Sequence, residues 1–225
     1  FPELCVTGYT CGDLFTQEVL LKEARAALHK IARHTKGKDA LIFVGVPVAV
    51  EGKLYNVAAA LNQGKILGLT TKSFLPNYGE FYEMRQFTEG PSAAREILFD
   101  GEKMPFGPQL LFVADSMESL VVSAEICEDA WSSVPPSIEA AREGAVIIAN
   151  CSASDETVGK STYRRNLIEG QSARLICGYL YANAGEGEST TDLVFGGHNL
   201  IAENGSVLKE GRRFENGVIY TEIDI

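Results

Sequence analysis

The sequence predicts an α/β protein whose sheets mix parallel and antiparallel strands. Segments with helical periodicity alternate with continuous apolar runs, which is typical of strands covered on both faces. Short turn signals separate several neighbouring runs, as expected of antiparallel hairpins. No linker, internal repeat or low-complexity segment interrupts the 225 residues, so we expect residues 1–225 to form one domain.

The first third of the chain predicts a helix, a strand and a hairpin. Apolar residues recur at intervals of three and four between Thr16, a candidate N-cap, and Gly37, a candidate stop. The run "DALIFVGVPVAV" then predicts a strand buried on both faces. In "LYNVAAALNQGKILGLTTK", two strand-like runs flank an Asn-Gln-Gly turn, which indicates a hairpin.

Residues 73–109 are predicted to form a loop-rich stretch, and long connections of this kind usually carry function. Beyond it, "LLFVAD" and "SLVVSAEIC" predict paired strands. The segment "PPSIEAAREG" predicts a short helix with proline at its start, followed by the strand "AVIIANCSAS".

The last third predicts a helix and strand from Tyr163, then a hairpin, then one more strand. The hairpin has an Asn-Gly turn at Asn204, a strong signal for a tight connection. The closing run "GVIYTEIDI" alternates in the manner of a strand.

Composition excludes several classes of function. The net charge is −10 and the lysines and arginines are scattered, so we do not expect nucleic acid as a partner. No apolar run reaches membrane-spanning length, so we expect no membrane association. The five cysteines form no CxxC pair and the three histidines have no ligand spacing, so we expect no metal site. Widely spaced thiols in odd number favour a reducing, cytoplasmic location.

Three residues stand at predicted strand ends, where α/β proteins assemble their sites. Glu3 lies in "FPEL", Lys72 ends the second strand of the first hairpin, and Cys127 ends the run "SLVVSAEIC". Taken singly, a strand-end glutamate or lysine is most often a solvated charge. A cysteine there is more often buried and inert than nucleophilic.

Taken together, the three contexts resemble the glutamate, lysine and cysteine motifs of the nitrilase, or carbon–nitrogen hydrolase, superfamily. The motifs are "FPEL…GY", "KSFLPNYGEFYE" and "EICEDAW", in that family's order and across nearly the whole chain. The resemblance implies a four-layer α–β–β–α sandwich built on two mixed sheets. It also implies that such domains assemble into homo-oligomers.

The resemblance implies a catalytic role for each residue. Cys127 would be the nucleophile, and Glu3 would take its proton, pass it to the leaving ammonia and later activate water. Lys72 would stabilise the thiolate and, with the backbone N–H of Glu128, the oxyanion. Glu80 matches the superfamily's second glutamate, which orients the lysine and the substrate amide.

Two further stretches narrow the family. "LPNYGEFYE" and "AGEGESTTDL" resemble the glutaminase domains of glutamine-dependent NAD synthetases. The resemblance implies that L-glutamine is hydrolysed without a cofactor and that ammonia passes to a fused or partner synthetase domain. That domain would use ATP and magnesium to amidate deamido-NAD, yet no "SGGxDS"-like loop occurs in these 225 residues. The family's opening strand–helix–strand is also missing before "FPEL", so we expect this chain to be part of a longer protein.

Free glutamine needs an acid for its ammonium group and a base for its carboxylate. The resemblance assigns the ammonium to Glu128 and makes Ser154 and Lys160 candidates for the carboxylate, although arginine is usual at position 160. Tyr9, Tyr78 and Trp131 either line the pocket mouth or are ordinary packing residues.

Two other functions stay open. One is another hydrolase of the superfamily, an ω-amidase or carbamoylase acting on a small amide. The other is a scaffold that keeps the fold without catalysis, which the three intact candidate residues disfavour.

Overall fold

The structure is a computed structural model that describes residues 1–225. Eleven strands form two sheets. The first sheet contains β1 (Ile42–Val50), β2 (Lys53–Asn62), β3 (Lys65–Thr71), β4 (Arg95–Phe99) and β5 (Glu102–Gly107). The second contains β6 (Leu111–Ala114), β7 (Met117–Ile126), β8 (Ile147–Ser152), β9 (Gly178–Asn183), β10 (Leu200–Glu203) and β11 (Ser206–Glu210).

Three α-helices and three short 3₁₀ segments complete the chain. The α-helices are α1 (Glu18–His34), α2 (Pro136–Arg142) and α3 (Lys160–Leu175). The 3₁₀ segments are Tyr9–Thr16, Glu83–Arg85 and Cys127–Trp131. None of the helices combines the length and the apolar character needed to cross a bilayer.

Both sheets are mixed, as the sequence predicts. The first has the order β1-β2-β3-β5-β4, with β3 and β5 parallel and the other pairs antiparallel. The second has the order β11-β10-β9-β8-β7-β6, with β7, β8 and β9 parallel. The carboxyl ends of β7 and β8 therefore lie side by side, which brings Cys127 next to the loop that begins at Ala153.

The apolar clusters show four layers, as the family resemblance implies. Leu28 of α1 packs on one face of the first sheet, against Val44 and Val46 of β1. Phe43, on the opposite face of the same strand, packs against Ile126 of the second sheet. Because strand side chains alternate between faces, β1 joins both clusters. The outer face of the second sheet packs against α3, where Ile168 is fully buried.

Most predicted elements are present, and three details differ. The loop-rich stretch contains the hairpin of β4 and β5, whose turn is Asp100-Gly101, both with positive φ. Helix α1 is preceded by Gln17, while the Thr16 hydroxyl donates to the Asp13 carbonyl. The predicted closing strand is wrong: the main chain of residues 217–225 makes no backbone hydrogen bond to a strand. Alternation of side chains creates a strand only where a neighbouring edge accepts it.

Candidate active site

Cys127 follows directly after β7 and opens the 3₁₀ turn Cys127–Trp131. Its φ is 46°, a left-handed conformation that costs a non-glycine residue about 1–3 kcal/mol. The backbone N–H of Cys127 donates to Oδ1 of Asn150 at 3.1 Å, which holds the strained residue against β8. The cysteine is thereby turned sharply out of its strand at the junction of the two sheets.

Asp129 builds the turn that carries the cysteine. Its side chain is fully buried and accepts the N–H of Ile126 at 2.9 Å. The same carboxylate accepts the N–H groups of Ser73 and Phe74, the two residues after Lys72. Burial raises the pKa of this carboxyl, and the backbone N–H groups oppose that shift. Asp129 therefore ties the lysine loop to the cysteine turn, a role that the sequence alone does not reveal.

Glu3 is completely buried and both of its carboxylate oxygens are engaged. Oε1 accepts from Asn56 Nδ2 and from Lys72 Nζ, each at 2.6 Å, and Oε2 accepts from the Ala153 N–H at 2.9 Å. The "FPEL" segment reaches this position because it lies directly on β1. A Cβ at Gly45 would come within 2.2 Å of the Leu4 nitrogen, so only glycine allows the approach.

Lys72 follows β3 and lies between two carboxylates. Its Nζ donates to Glu3 Oε1 at 2.6 Å and to Glu83 Oε1 at 2.5 Å, with no exposure of the lysine side chain to solvent. The Tyr9 hydroxyl donates to the same oxygen of Glu83 at 2.8 Å. The result is a dry network in which two acids surround one ammonium group.

The charges of this network fix the state of the thiol. Burial alone would lower the pKa of Lys72, but Glu3 and Glu83 raise it well above its ordinary value, so the lysine is charged. Burial raises the pKa of the Cys127 thiol, and the Glu3 carboxylate raises it further, against the opposing effect of Lys72. The predicted stabilisation of a resting thiolate by Lys72 is therefore offset, because two acids already balance the lysine charge. The thiol is protonated at neutral pH.

The structure differs from two of the predicted site assignments, those of Glu80 and Tyr9. The carboxylate that contacts Lys72 belongs to Glu83, not to the predicted Glu80. Glu83 opens a short 3₁₀ turn that directs its side chain inward, whereas Glu80 is half-buried and lines a neighbouring cavity of about 350 Å³. Tyr9 lines that same cavity and not the mouth of the Cys127 pocket. The two acids share one loop, so spacing alone does not separate them.

Cys127 lies on a second cavity, of about 480 Å³, which the other predicted binding residues share. Glu128 is half-buried on its wall and accepts the Tyr78 hydroxyl at 2.9 Å. Burial raises the pKa of Glu128, and the hydrogen bond from Tyr78 opposes this. The remaining predicted residues on the cavity are Trp131, Ser154 and Lys160.

Lys160 begins α3 and supplies the positive charge of this cavity. Its Nζ donates to Asp155 and lies 5.4 Å from the ring centre of Phe81 and 5.6 Å from that of Trp131. Both distances suit cation–π attraction. Glu128 and Lys160 thus place opposite charges on one cavity beside a cysteine.

Arg164 of α3, which the sequence does not single out, holds the loop that carries Ser154. It is fully buried and donates to Ser154 Oγ at 3.2 Å, to the Asp155 carbonyl at 2.7 Å and to Glu156 at 2.6 Å. An uncompensated arginine at this depth would be costly, so Glu156 and Arg164 are mutually required.

No cluster of three histidine, cysteine or acidic residues is arranged to hold a metal ion.

Known proteins resemble this chain over its whole length. The family model described as carbon–nitrogen hydrolase matches residues 1–225. A glutamine-dependent NAD(+) synthetase of Mycobacterium tuberculosis is 41% identical over 225 residues, all of this chain and 33% of that protein. The protein of the same name from Aquifex aeolicus is 31% identical over 226 residues, covering 100% of this chain and 36% of its own length. The chain therefore spans about a third of the length of these curated relatives.

Two solved structures are similar in fold. A glutamine-dependent NAD(+) synthetase from Cytophaga hutchinsonii has a TM-score of 0.83 and 33% identity, covering 94% of this chain and 34% of that one. An amidase of the nitrilase superfamily from Nesterenkonia has a TM-score of 0.70 and 21% identity, covering 94% of this chain and 71% of that one.

Proposed function

Because the chain belongs to the carbon–nitrogen hydrolase family, we propose that its site hydrolyses the side-chain amide of L-glutamine through a thioester on Cys127. The observation that carries the proposal is the pair of opposite charges on the Cys127 cavity. Glu128 suits the α-ammonium group of glutamine, and Lys160, with Ser154, suits its α-carboxylate. Tyr78 and Trp131 border the space for the aliphatic part of the substrate.

The first half of the reaction forms the thioester. Glu3 takes the thiol proton as Sγ attacks the amide carbon, and the carbonyl oxygen becomes an oxyanion. Lys72 stabilises that charge together with the backbone N–H of Glu128, since the N–H of Cys127 is occupied by Asn150. The carbon–nitrogen bond then breaks as Glu3 returns the proton to nitrogen. Ammonia leaves and the acyl group remains on sulfur.

The second half regenerates the enzyme. Water attacks the thioester carbon while Glu3 takes a proton from it, and the carbon–sulfur bond breaks. Glu3 returns the proton to the sulfur, so glutamate leaves and the free thiol is restored. The Ala153 N–H donates to Glu3 Oε2 at 2.9 Å, which fixes the carboxylate that carries the proton.

The proposal extends to a larger protein that uses the ammonia. It is supported by the relatives' name, which couples glutamine to NAD synthesis, and by their length, of which this chain matches only about a third. The proposal therefore includes a fused or partner synthetase domain that uses the ammonia, with ATP and magnesium, to amidate deamido-NAD. A cytoplasmic location and a homo-oligomeric assembly belong to the same proposal.

Substrate preference tests the glutaminase assignment. Ammonia release should be at least about 100-fold more efficient, as kcat/KM, for L-glutamine than for its α-keto analogue, which cannot use Glu128. Short aliphatic amides and N-carbamoyl amino acids should be poorer still, and Cys127→Ala should release no ammonia. A preference for the α-keto amide or the carbamoyl compounds would instead establish the ω-amidase or carbamoylase alternative.

A further inference from the structure

The loop "AGEGESTTDL" has no role in the hydrolysis proposed for the Cys127 site. Within it, the half-buried Glu188 reaches the opposite end of the chain. Its Oε1 accepts the Tyr9 N–H at 2.7 Å, and its Oε2 accepts the Thr10 N–H at 3.0 Å and the Thr10 hydroxyl at 2.7 Å. The Ser189 N–H completes this contact by donating to Thr10 Oγ1 at 2.9 Å.

These bonds occur where a helical segment needs them. The 3₁₀ segment Tyr9–Thr16 starts after Gly8, which offers no side chain to cap its free N–H groups. A carboxylate is a favourable partner for N–H groups at a helical N-terminus. Glu188 therefore supplies, from 179 residues away in the chain, the cap that the local sequence lacks.

The capped segment leads directly to the charged network. Tyr9, whose N–H is held by Glu188, donates its hydroxyl to Glu83 at 2.8 Å. Glu83 in turn binds Lys72 at 2.5 Å through the same oxygen. The path from Glu188 to the catalytic lysine thus passes through one side chain, Tyr9, and one acid, Glu83.

We propose that Glu188 is a positioning residue for the glutaminase site, fixing Tyr9 so that Glu83 orients Lys72 toward the oxyanion. This inference rests on the proposed function. The inference gives the loop "AGEGESTTDL" a chemical role. A displacement of that loop would change the position of Lys72 while leaving the substrate cavity unchanged. Glu188 does not line the Cys127 cavity, so the effect falls on kcat and not on KM.

A double-mutant cycle tests the path through Tyr9. Glu188→Gln should lower kcat for L-glutamine about tenfold with KM within about twofold, and Tyr9→Phe should do the same. If Glu188 acts through Tyr9, the double variant should fall little further than either single one. Glu186→Gln is the matched control, because Glu186 is exposed in the same loop and bonds only Asn216.

All variants are made in the full chain, and a second readout does not need glutamine. Alkylation of Cys127 by iodoacetamide, followed across pH by peptide mass spectrometry, reports the charges around the thiol. Glu188→Gln and Tyr9→Phe should shift this profile in the same direction, and the double variant should add nothing. The buried Cys151 and Cys177 should stay protected in every folded variant.

Glutamine kinetics and Cys127 alkylation together distinguish a failure of the proposed function from a failure of the positioning role of Glu188. A wild-type chain that releases no ammonia from glutamine sinks the proposed function, while the alkylation cycle still decides the role of Glu188. Wild-type kinetics in Glu188→Gln, an effect equal to that of Glu186→Gln, or losses that multiply in the double variant would overturn the positioning role. If Glu188→Gln fails to fold, Thr10→Val removes the hydroxyl's bond to Glu188 together with the bond that the hydroxyl accepts from Ser189, and it should lower kcat about threefold.

Discussion

The proposed catalytic cluster and the proposed binding wall accommodate charged side chains in different ways. The catalytic cluster is Glu3, Lys72, Glu83 and Cys127, all at most 5% exposed. The binding wall is Tyr78, Glu128, Trp131 and Lys160, which border an open cavity. In the cluster, every charged side chain has an oppositely charged neighbour in the protein. On the wall, Glu128 and the Asp155-bound Lys160 both border space that a ligand can fill.

This difference in burial and charge pairing predicts which kinetic constant each region controls. A buried ion pair that loses one member leaves an uncompensated charge, so a substitution in the cluster disturbs the reacting groups themselves. A substitution on the wall removes a contact made to the substrate before and during the reaction, which is uniform binding. We therefore expect kcat to respond to the cluster and KM to respond to the wall.

Apart from the loss of Glu3 or Cys127 themselves, the largest fall in kcat should come from the acid that binds Lys72. Glu83→Gln should lower kcat about 100-fold, because it weakens two charge-assisted hydrogen bonds, those from Lys72 and from Tyr9. Glu80→Gln is the matched comparison in the same loop and should change kcat by less than about twofold, since the Glu80 carboxylate makes no hydrogen bond in the structure. Steady-state glutamine hydrolysis measures both. Equal losses of kcat in the two variants would mean that Glu80 orients Lys72, as its spacing in the sequence predicts.

The wall should give a smaller effect on a different constant. Glu128→Gln should raise KM for L-glutamine about 30-fold and leave kcat within about threefold, because a neutral amide loses the ionic contact to the α-ammonium group. The same variant should lose most of its preference for glutamine over the α-keto analogue. A fall in kcat at constant KM would move Glu128 from the wall into the catalytic cluster.

This division also explains what the sequence can and cannot predict. Glu3, Lys72 and Cys127 can be identified because each stands in a specific motif, and Lys72 and Cys127 also follow recognisable strands. Glu83 is missed because "GEFYE" offers two acids, and only the inward turn at residue 83 distinguishes them. Asp129 and Arg164 are missed because a buried charge and a surface charge look alike in a sequence. The partners of Asp129 are backbone N–H groups, and Arg164 binds the Asp155 carbonyl, and such backbone partners carry no sequence signal.

The fold shows the same limit. Strands with long apolar runs, such as β1 and β7, are predicted because burial on both faces leaves a continuous pattern. The hairpin of β4 and β5 is missed inside a stretch rich in glycine and proline, although Asp100-Gly101 is a turn signal. The run at 217–225 has a strand pattern and no strand partner. Pattern therefore predicts which face a residue takes, whereas pairing depends on the neighbouring edge.

The smallest predicted effect is a change in the alkylation rate of Cys127, which reports how the thiolate is formed. Burial and the Glu3 carboxylate both raise the pKa of the Cys127 thiol, so wild-type alkylation by iodoacetamide should be slow at pH 7 and still rising at about pH 9. Glu3→Gln removes one negative neighbour, which lowers the thiol pKa and leaves more thiolate at a given pH. Alkylation of Cys127 should then be about tenfold faster near pH 7.5.

The same Glu3→Gln variant should hydrolyse glutamine at least about 1,000-fold more slowly, since it can no longer accept the proton. Glu118→Gln, exposed on the same strand that leads to Cys127, should change neither rate. Faster alkylation together with lost hydrolysis means that the thiolate is made by proton transfer to Glu3 during attack. Alkylation that levels off below pH 8 in the wild type, or that slows in Glu3→Gln, would mean that a resting thiolate is held by Lys72. In that case Cys127 would be ionised before the substrate binds. The cluster would then hold a charge ready for the substrate, as the binding wall does.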